Sequence, residues 1–345
     1  MITLDKFVGN EDLIQLLRIS IAAAKARNSA LPHILLKGPA GTGKTTLAEA
    51  IAREFGTQPL ALTPGTAKKI SDLRKLFLRM PGEGYDPEGK VVARIQPQVV
   101  FCDEVHQLPL LAQENLGIAM QDWKLPVTLE GQDVFEWVPR FTLIGATTLP
   151  GKLSKPFLDR FKIQSEFETY SMDEAIKIVG LHAKSQDLTL GAGVAEAIAQ
   201  RSRGVPRLVV RFLDRLSDAA LVAGRNNPTY KKVITKQLTE AVFRDFLRVD
   251  DRGLTKTDIK ILKQLSQLSD PVGVDTLATI ANEDRKSVEN TIEPYLIQEG
   301  LLIRTKRGRL LTEEGRRYLE TAGYIKTGPA LPRTGRLIGA AVNEQ

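Results

Sequence analysis

One short stretch of the chain, from Gly38 to Thr45, has the spacing G-x-x-x-x-G-K-T of a phosphate-binding loop. An apolar run before it predicts a strand and the residues after it predict a helix, which is the context that this motif requires. The glycines Gly41 and Gly43 let backbone N–H groups approach phosphate oxygens. Lys44 would reach the β- and γ-phosphates, and the hydroxyl of Thr45 would bind Mg²⁺. The motif predicts an ATP–Mg²⁺ site, and the alternative is a glycine-rich strand-to-helix turn.

An acidic pair follows the apolar run Val99–Cys102. Such a run predicts a buried strand, so the carboxylates of Asp103 and Glu104 would emerge at its end. After a phosphate-binding loop, Asp103 is predicted to hold Mg²⁺ through water and Glu104 to polarise the water that attacks the γ-phosphate. Cys102 is then a buried apolar residue and not a nucleophile.

Three further polar residues have positions that suit the same chemistry. Thr148 ends the next predicted strand, where its hydroxyl can reach the γ-phosphate or the attacking water. Arg160 follows a short helical turn, and Arg207 begins a helix of a predicted lid. One arginine would complete a neighbouring subunit's site and the other would sense the γ-phosphate, although either alone would usually be a solvated charge.

The elements that must position these residues alternate between strand and helix. Predicted strands are His33–Lys37, Val99–Cys102 and Phe141–Ala146; predicted helices are Asn10–Arg27, Lys44–Phe55, Lys69–Arg79 and Pro109–Gln121. This alternation predicts an α/β fold with a parallel sheet and helices on its faces. Met80–Gln98, rich in Pro and Gly, is predicted to be a loop, and Leu125–Val138 is predicted to be a hairpin with residues 130–133 at its tip.

The second half of the chain has a different pattern. Asp173–Phe246 is predicted to be a separate helical domain. Beyond it, a winged helix is predicted from the helices Thr257–Leu268, Asp275–Asn282 and Arg285–Glu299 and a hairpin near Arg304. The predicted domains are a large P-loop ATPase domain (1–167), a small helical lid (168–249), a winged helix (250–325) and a flexible tail (326–345).

Composition narrows the class of protein. The 345 residues carry a net charge of +7, which favours a polyanionic partner without proving one. The lone cysteine excludes an intramolecular disulfide, and three scattered histidines do not make a zinc site. The N-terminus lacks a signal pattern and no apolar run reaches the length of a membrane span, so a cytoplasmic protein is expected.

These motifs resemble those of RuvB, an AAA+ ATPase family that drives branch migration of Holliday junctions. The similarity extends over about residues 4–323, and its most diagnostic stretches are Glu293–Ile297 and Arg304–Arg309. The resemblance implies a hexameric ring on the duplex arms of a four-way DNA junction, loaded by the junction-binding protein RuvA. It also implies ATP and Mg²⁺ as cofactors and a role in recombination and repair.

The resemblance assigns roles by position. For nucleotide, it implies phosphate and magnesium contacts from Lys44, Thr45 and Thr46, an arginine finger at Arg160, a lid sensor at Arg207 and an adenine contact at Tyr170. Gln121, Asp122 and Trp123 fall where the family contacts nucleotide from a neighbouring subunit. For DNA, it implies contacts from Arg304 and Arg309.

Several positions depart from the family pattern. Gln121 replaces an acid, Gln107 replaces an Arg after Asp-Glu-x-His, and Leu158 stands where the family has an Arg. The Met80–Gln98 segment is longer and the Leu125–Val138 hairpin, which touches RuvA in the family, is shorter. These departures are typical of a divergent member of the family.

Physical reasoning on DNA leaves alternatives open. Residues 251–324 hold 12 Lys and Arg against 12 Asp and Glu, so positive charge is concentrated in the wing, where Lys306 and Arg307 join Arg304 and Arg309, with Gly308 at the bend. Such a hairpin suits phosphate contacts, but winged helices also bind proteins.

On the Leu125–Val138 hairpin, Val127, Leu129, Phe135 and Trp137 occupy alternating positions that suit either a partner or the domain's own core.

Three functions are compatible with these patterns. The first is a RuvB-type translocase, and the second is an AAA+ switch of the clamp-loader or initiator kind that assembles on DNA without moving along it. The third, a P-loop scaffold without activity, is disfavoured because Lys44, Thr45, Asp103, Glu104 and Arg160 are all present.

Overall fold

A five-stranded parallel sheet carries the phosphate-binding loop at the end of one of its inner strands. The strands of this part of the chain are β1 (Ile34–Lys37), β2 (Leu60–Ala61), β3 (Gly84–Tyr85), β4 (Val91–Ala93), β5 (Gln98–Cys102), β6 (Lys124–Leu129), β7 (Gln132–Trp137), β8 (Phe141–Thr147) and β9 (Ile163–Glu166). The sheet has the order β2-β5-β8-β1-β9, and its pairings are all parallel. The carboxyl ends of β1, β5 and β8 therefore meet at one edge.

The computed structural model describes residues 2–80, 84–85, 91–93, 97–129, 131–224 and 232–326, with backbone alone at 84–85, 91–93 and Leu129. It divides into one unit of residues 1–186 with 204–213 and a second of residues 187–203 with the chain from 214 onward. The predicted tail at 326–345 lies outside the described residues except for Lys326. Among the described helices, none has the length and hydrophobicity to cross a bilayer.

Helices cover both faces of the sheet. They are α1 (Glu11–Arg27), α2 (Lys44–Phe55), α3 (Ile70–Leu78), α4 (Leu110–Asp122) and α5 (Lys155–Leu158). The helix α6 (Met172–Ser185) follows β9 along the chain. Successive strand residues point to opposite faces, so Leu36 packs with α1 and α2 whereas Leu35 packs with α3, α4 and α5. All seven residues of β8 are buried, as expected for a parallel strand covered on both faces.

The predicted α/β fold is confirmed, with some differences in detail. The strand β9 was missed because Ile163-Gln164-Ser165-Glu166 is mostly polar, yet it pairs with β1 along its whole length. The Met80–Gln98 loop was wrong in part, because β3 and β4 form a short antiparallel pair within it. The rest of that segment lies mainly outside the described residues.

The predicted hairpin is present as β6 and β7, but its apolar residues do not share one face. Val127 pairs with Val134, and Phe135 pairs with Pro126, so Val127 and Phe135 lie on opposite faces. Val127 is buried, whereas Phe135 is 62% exposed. One face of the hairpin therefore packs on the core and the other carries exposed apolar surface.

In its described residues, the second unit is helical with two small two-stranded sheets. Its helices are α7 (Val194–Arg201), α8 (Pro206–Ala223, shared with the first unit), α9 (Lys236–Ala241), α10 (Lys256–Ser266), α11 (Val274–Ala281), α12 (Arg285–Ser287), α13 (Glu293–Gln298) and α14 (Glu313–Thr321). Its strands are β10 (Thr189–Leu190), β11 (Val233–Ile234), β12 (Leu302–Thr305) and β13 (Gly308–Leu311). The prediction of an all-helical segment was thus wrong at β10 and β11, which pair in parallel.

The predicted helix Arg285–Glu299 consists of three successive helical segments of different pitch. A π-helical turn, Val288–Ile292, separates α12 from α13. Pro294 explains the change of pitch, because its ring lacks an N–H and crowds the carbonyl one turn earlier. The wing follows as the antiparallel pair β12–β13.

Candidate nucleotide site

The phosphate-binding loop connects β1 to the first turn of α2. Gly38 has a φ of +132°, and a Cβ there would lie 2.2 Å from the carbonyl oxygen of Phe167. Only glycine fits this position, because a side chain would collide with backbone. Lys44, the first residue of α2, is buried, and its Nζ donates to the carbonyl oxygens of Gly38 at 2.8 Å and Pro39 at 2.6 Å. The loop therefore folds around the ammonium group that would meet the phosphates.

Charge around Lys44 is arranged for a polyanion. Burial lowers the pKa of Lys44 below its ordinary value, Glu104 and Asp103 oppose that shift, and Arg207 adds to it. Two cations share the pocket with two carboxylates. A triphosphate would bring more negative charge than these carboxylates and would favour the charged form of Lys44.

A cavity of about 250 Å³ lies over the loop. Its lining residues are Ala40, Gly41, Gly43, Lys44, Thr45, Thr46, Asp103, Glu104, His182, Pro206, Arg207 and Val210. The structure therefore brings together eight residues that the sequence predicted for nucleotide and metal. Arg207 is held against the loop, since its backbone N–H donates to the carbonyl oxygen of Gly41 at 3.3 Å.

The acidic pair occupies the end of β5, next to the end of β8. Glu104 has a φ of +48°, in the left-handed region that residues other than glycine seldom adopt. Its Oε2 accepts hydrogen bonds from the hydroxyl of Thr148 at 3.0 Å and from the backbone N–H of Thr148 at 3.3 Å. Asp103 Oδ1 accepts from the N–H of Glu104 at 3.0 Å. Thr148 thus meets the site through Glu104.

His106 joins this network. Its Nδ1 lies 3.0 Å from Oε2 of Glu104 and 2.9 Å from the hydroxyl oxygen of Thr147. Burial lowers the pKa of His106, while Glu104 opposes the shift. No role was assigned to this histidine from sequence, although the Asp-Glu-x-His spacing that contains it was the available signal.

A second, apolar cavity of about 50 Å³ shares Gly43, Thr46, His182 and Pro206 with the first. Its apolar walls come from Ile2, Phe7, Val8, Tyr170, Ile178 and Leu181. An apolar recess beside a phosphate site suits a flat heterocyclic base.

Tyr170 is fixed within this apolar recess. Its hydroxyl donates to the carbonyl oxygen of Thr42 at 3.1 Å, and burial raises the pKa of Tyr170 to about 12. Sequence reasoning found Tyr170 but missed Phe7, Val8 and Ile178, because lone apolar residues have no motif.

Four predicted nucleotide residues lie away from both cavities. Arg160 is half-buried in the link between α5 and β9, and Gln121 and Asp122 are exposed at the end of α4. Trp123 packs against His33 and Phe141, with ring centroids 6.0 and 5.9 Å away. In this chain the four residues do not line the nucleotide cavity.

The predicted DNA residues divide into two groups. Arg304, Lys306 and Arg307 are exposed. Arg309 is instead 6% exposed, and its guanidinium donates to Oε2 of Glu293 at 2.7 and 3.1 Å. Arg309 is therefore not one of the exposed cations of the wing, and its predicted contact with DNA stays a prediction.

Gly308 was predicted to lie at the bend of the wing. It is instead the first residue of β13 and pairs with Thr305. Glycine is required there because a Cβ would lie 2.5 Å from the carbonyl oxygen of Val272.

Models of known families match three consecutive segments of the chain. Residues 2–167 match the Holliday junction DNA helicase RuvB P-loop domain, 170–250 the RuvB AAA lid domain, and 251–320 the RuvB C-terminal winged helix domain. The chain belongs to the RuvB family. The Holliday junction branch migration complex subunit RuvB of Parasynechococcus marenigrum is 37% identical over 92% of this chain and 87% of its own length. The protein of the same name from Gluconobacter oxydans is 40% identical over 92% and 86%.

A solved structure supports the same assignment. The Thermotoga maritima RuvB Holliday junction branch migration motor superposes with a TM-score of 0.75 at 33% identity, covering 92% of this chain and 97% of that one. RuvB-family membership and the loop geometry together establish a P-loop ATPase that binds nucleotide in the first unit. They also confirm the predicted fold class, with an AAA+ ATPase fold, a lid and a winged helix.

Proposed function

We propose that this protein is an ATP-driven motor that moves the branch point of Holliday junctions in recombination and repair. The observation that carries the proposal is the cavity in which Lys44, Glu104 and Arg207 meet, within a chain whose three segments all match RuvB. We divide the chain at 167 and 249 into the ATPase domain, the lid and the winged helix, in accord with the matched segments. Work on such DNA would take place in the cytoplasm.

The phosphate end of the cavity suits ATP with Mg²⁺. Thr45 and Asp103 are the oxygen ligands, direct and through water, that would hold the ion. The bound ion would neutralise charge that develops on the phosphates. Lys44 binds the β- and γ-phosphates, Thr46 binds phosphate from the first turn of α2, and Arg207 senses the γ-phosphate from the lid.

Glu104 orients and polarises the attacking water, and Thr148 fixes the carboxylate that does so. The two hydrogen bonds from Thr148 to Oε2 leave Oε1 for the water. Asp103 would therefore serve the metal ion, and Glu104 would serve the attacking water.

Arg160 acts in trans, in a homo-oligomeric ring that we take to be a hexamer. Its position outside the cavity of its own chain supports this assignment, as does the exposure of Gln121 and Asp122. With Trp123, these residues would meet the nucleotide of the neighbouring subunit.

The wing holds the DNA through phosphates. Arg304, Lys306 and Arg307 supply exposed positive charge for contacts that carry no sequence information, which suits a protein that slides. Arg309 remains a predicted DNA residue, and it would reach a phosphate only after its ion pair with Glu293 opened. The exposed face of the β6–β7 hairpin, which carries Phe135, is proposed to dock a RuvA-like junction-binding protein.

The experiment that tests this function measures ATP hydrolysis and movement of a synthetic four-way junction together. A motor hydrolyses ATP faster in the presence of the junction and separates it into two duplexes. A switch of the clamp-loader kind would show stimulated hydrolysis with no separation, and that result would reject the motor. Lys44→Ala, which removes the phosphate-binding ammonium group, is the negative control for both signals.

A further inference from the structure

Two arginines face each other across the wing. Arg304 on β12 and Arg309 on β13 are direct partners in the antiparallel register. The side chain of Arg304 is 64% exposed, whereas that of Arg309 is 8% exposed. Like charges directly opposite on two strands destabilise the pair. The wing therefore needs a counter-charge close to both guanidinium groups.

Glu293, at the start of α13, supplies that counter-charge. Its side chain is 3% exposed, and its Oε2 accepts from Nη2 of Arg309 at 2.7 Å and from Nε at 3.1 Å. Its other oxygen, Oε1, is buried and accepts no hydrogen bond from the described residues. The Nε of Arg304 lies 3.9 Å from this Oε1. A second carboxylate, Glu289, lies 3.8 Å from Nη2 of Arg309.

The two arginines are held to different degrees. Arg309 is bound by two hydrogen bonds in a buried pair, and its departure would leave a charge unpaired in the interior. Arg304 is largely solvated and would satisfy the Oε1 of Glu293 by a movement of about 1 Å, since hydrogen bonds of this kind are about 2.9 Å long. Its guanidinium is also placed to meet a DNA phosphate, which offers the same kind of acceptor.

We propose that Glu293 is a positioning residue that fixes Arg309 on strand β13 of the wing and competes with DNA phosphate for Arg304. This inference rests on the DNA role proposed for the wing. Because Glu293 offers Arg304 an alternative partner, it lowers the affinity of the wing for DNA. Such weakening helps each contact to release as a motor advances.

The test compares Glu293→Gln with the unchanged full-length protein in binding to a duplex of arbitrary sequence between about 50 and 200 mM salt. The substitution removes the competing charge and keeps the size of the side chain. We expect the affinity at low salt to rise about threefold or more, with a slope of log affinity against log salt steeper by up to about 0.9, the value of one phosphate contact. Glu283→Gln is the matched control, since Glu283 is exposed in the same winged helix. It removes an equal charge and should change affinity much less.

A merely structural role for Glu293 predicts the opposite sign. Loss of a buried anchor alone would disorder the wing and weaken DNA binding, so affinity that falls or stays constant overturns the proposal. The double variant Arg304→Ala with Glu293→Gln locates the effect, because the gain should disappear without Arg304. A gain that persists in the double variant also overturns it.

Failure of the DNA role of the wing can be distinguished from failure of the inference about Glu293. If Arg304→Ala alone leaves DNA affinity unchanged, the DNA role of the wing fails, whereas a weakened Arg304→Ala with no gain from Glu293→Gln rejects only the inference. If Glu293→Gln does not fold, Glu289→Gln carries the test, because Glu289 is 28% exposed and lies 3.8 Å from Nη2 of Arg309, the cross-strand partner of Arg304. It should raise affinity above the Glu283→Gln control, and equality with that control would overturn the proposal.

Discussion

The hydroxyl of Thr148 donates a 3.0 Å hydrogen bond to Oε2 of Glu104, which joins the carboxyl ends of β8 and β5. One carboxylate oxygen is thereby fixed by a neighbouring strand, and His106 lies 3.0 Å from the same oxygen. The carboxylate that would act on water is therefore held by residues outside the phosphate-binding loop.

Glu104→Gln should bind ATP as tightly as the unchanged protein and hydrolyse it at least about a hundredfold more slowly, because general-base catalysis contributes about 10²–10⁴-fold. Thr148→Val should bind normally and lose less activity, since Glu104 keeps its charge and loses one hydrogen bond. Binding of a fluorescent ATP analogue and single-turnover phosphate release measure the two effects. Lys44→Ala, which should lose tight binding, is the contrast. Unchanged turnover in Glu104→Gln would remove the role assigned to that residue.

His33 should make the free energy of unfolding depend on pH. Its Nδ1 accepts from the N–H of Leu143 at 2.9 Å, its Nε2 lies 3.1 Å from the carbonyl oxygen of Met120, and burial lowers its pKa to about 4. Between about pH 6.5 and 4 the unfolded chain binds a proton that the folded chain does not. The free energy of unfolding should therefore decrease by about 3 kcal/mol in total as the pH is lowered through this range. Above pH 6.5 this contribution is constant.

Urea unfolding at several pH values checks this prediction against His33→Gln, which keeps a donor and an acceptor but does not titrate. The lowered pKa of His106 acts in the same direction, and the comparison removes its contribution because both proteins contain it. The two stability curves should be parallel above pH 6.5 and converge below it. Parallel curves down to pH 4 would show that folded His33 takes up its proton over the same pH range as the unfolded chain, so that burial does not lower its pKa.

The phosphate-binding residues could be predicted because their chemistry is local. Gly38 to Thr45 fixes a loop by its own spacing, and the predicted helix Lys44–Phe55 has the bounds that the structure gives. The acidic pair could also be predicted from the sequence, since Asp103 and Glu104 directly follow a buried strand. Parallel strands end at one edge of a sheet, so the meeting of these residues follows from the order of elements.

Contacts between distant residues could not be read from the sequence. Arg309 carries the charge expected of a DNA contact, and only the fold shows that Glu293, sixteen residues earlier, buries it. Gly308 likewise suggested a bend, whereas its true constraint is the backbone of Val272. The apolar recess was missed because Phe7 and Ile178 come from segments more than a hundred residues apart.

The two faces of the β6–β7 hairpin should respond differently to a charge. Phe135→Asp should leave the melting temperature within about 2 °C, because the residue is 62% exposed, and should abolish stimulation by a RuvA-type protein. Val127→Asp is the contrast, because it would bury an unpaired carboxylate in the core and lower the melting temperature strongly. The paired hydrogen bonds of Arg74 to Glu136, at 2.5 and 3.0 Å, join α3 to the hairpin face that carries Val127. Full stimulation of Phe135→Asp would remove this face as the docking surface.

Arg160 should complete the active site of an adjacent subunit. It lies between α5 and β9, and it is absent from the described residues that line the cavity of its own chain. A guanidinium fixed at an interface stabilises the charge of the transition state, and arginine fingers contribute about a thousandfold or more in rate. Arg160→Ala should therefore bind ATP nearly normally and hydrolyse it very slowly.

Mixing two inactive proteins decides whether Arg160 acts in trans. Arg160→Ala keeps its phosphate-binding loop, and Lys44→Ala keeps its arginine, so some interfaces of a mixed ring pair an intact loop with an intact Arg160. Those interfaces should recover part of the hydrolysis, with a maximum near equal proportions. Mixing Arg160→Ala with the double variant Lys44→Ala and Arg160→Ala is the matched control, because no interface in that mixture contains both groups. Subunit exchange, followed by fluorescence energy transfer between labelled proteins, must be shown in the same samples. If exchange occurs and no mixing ratio exceeds the control, Arg160 acts within its own chain or only supports the fold.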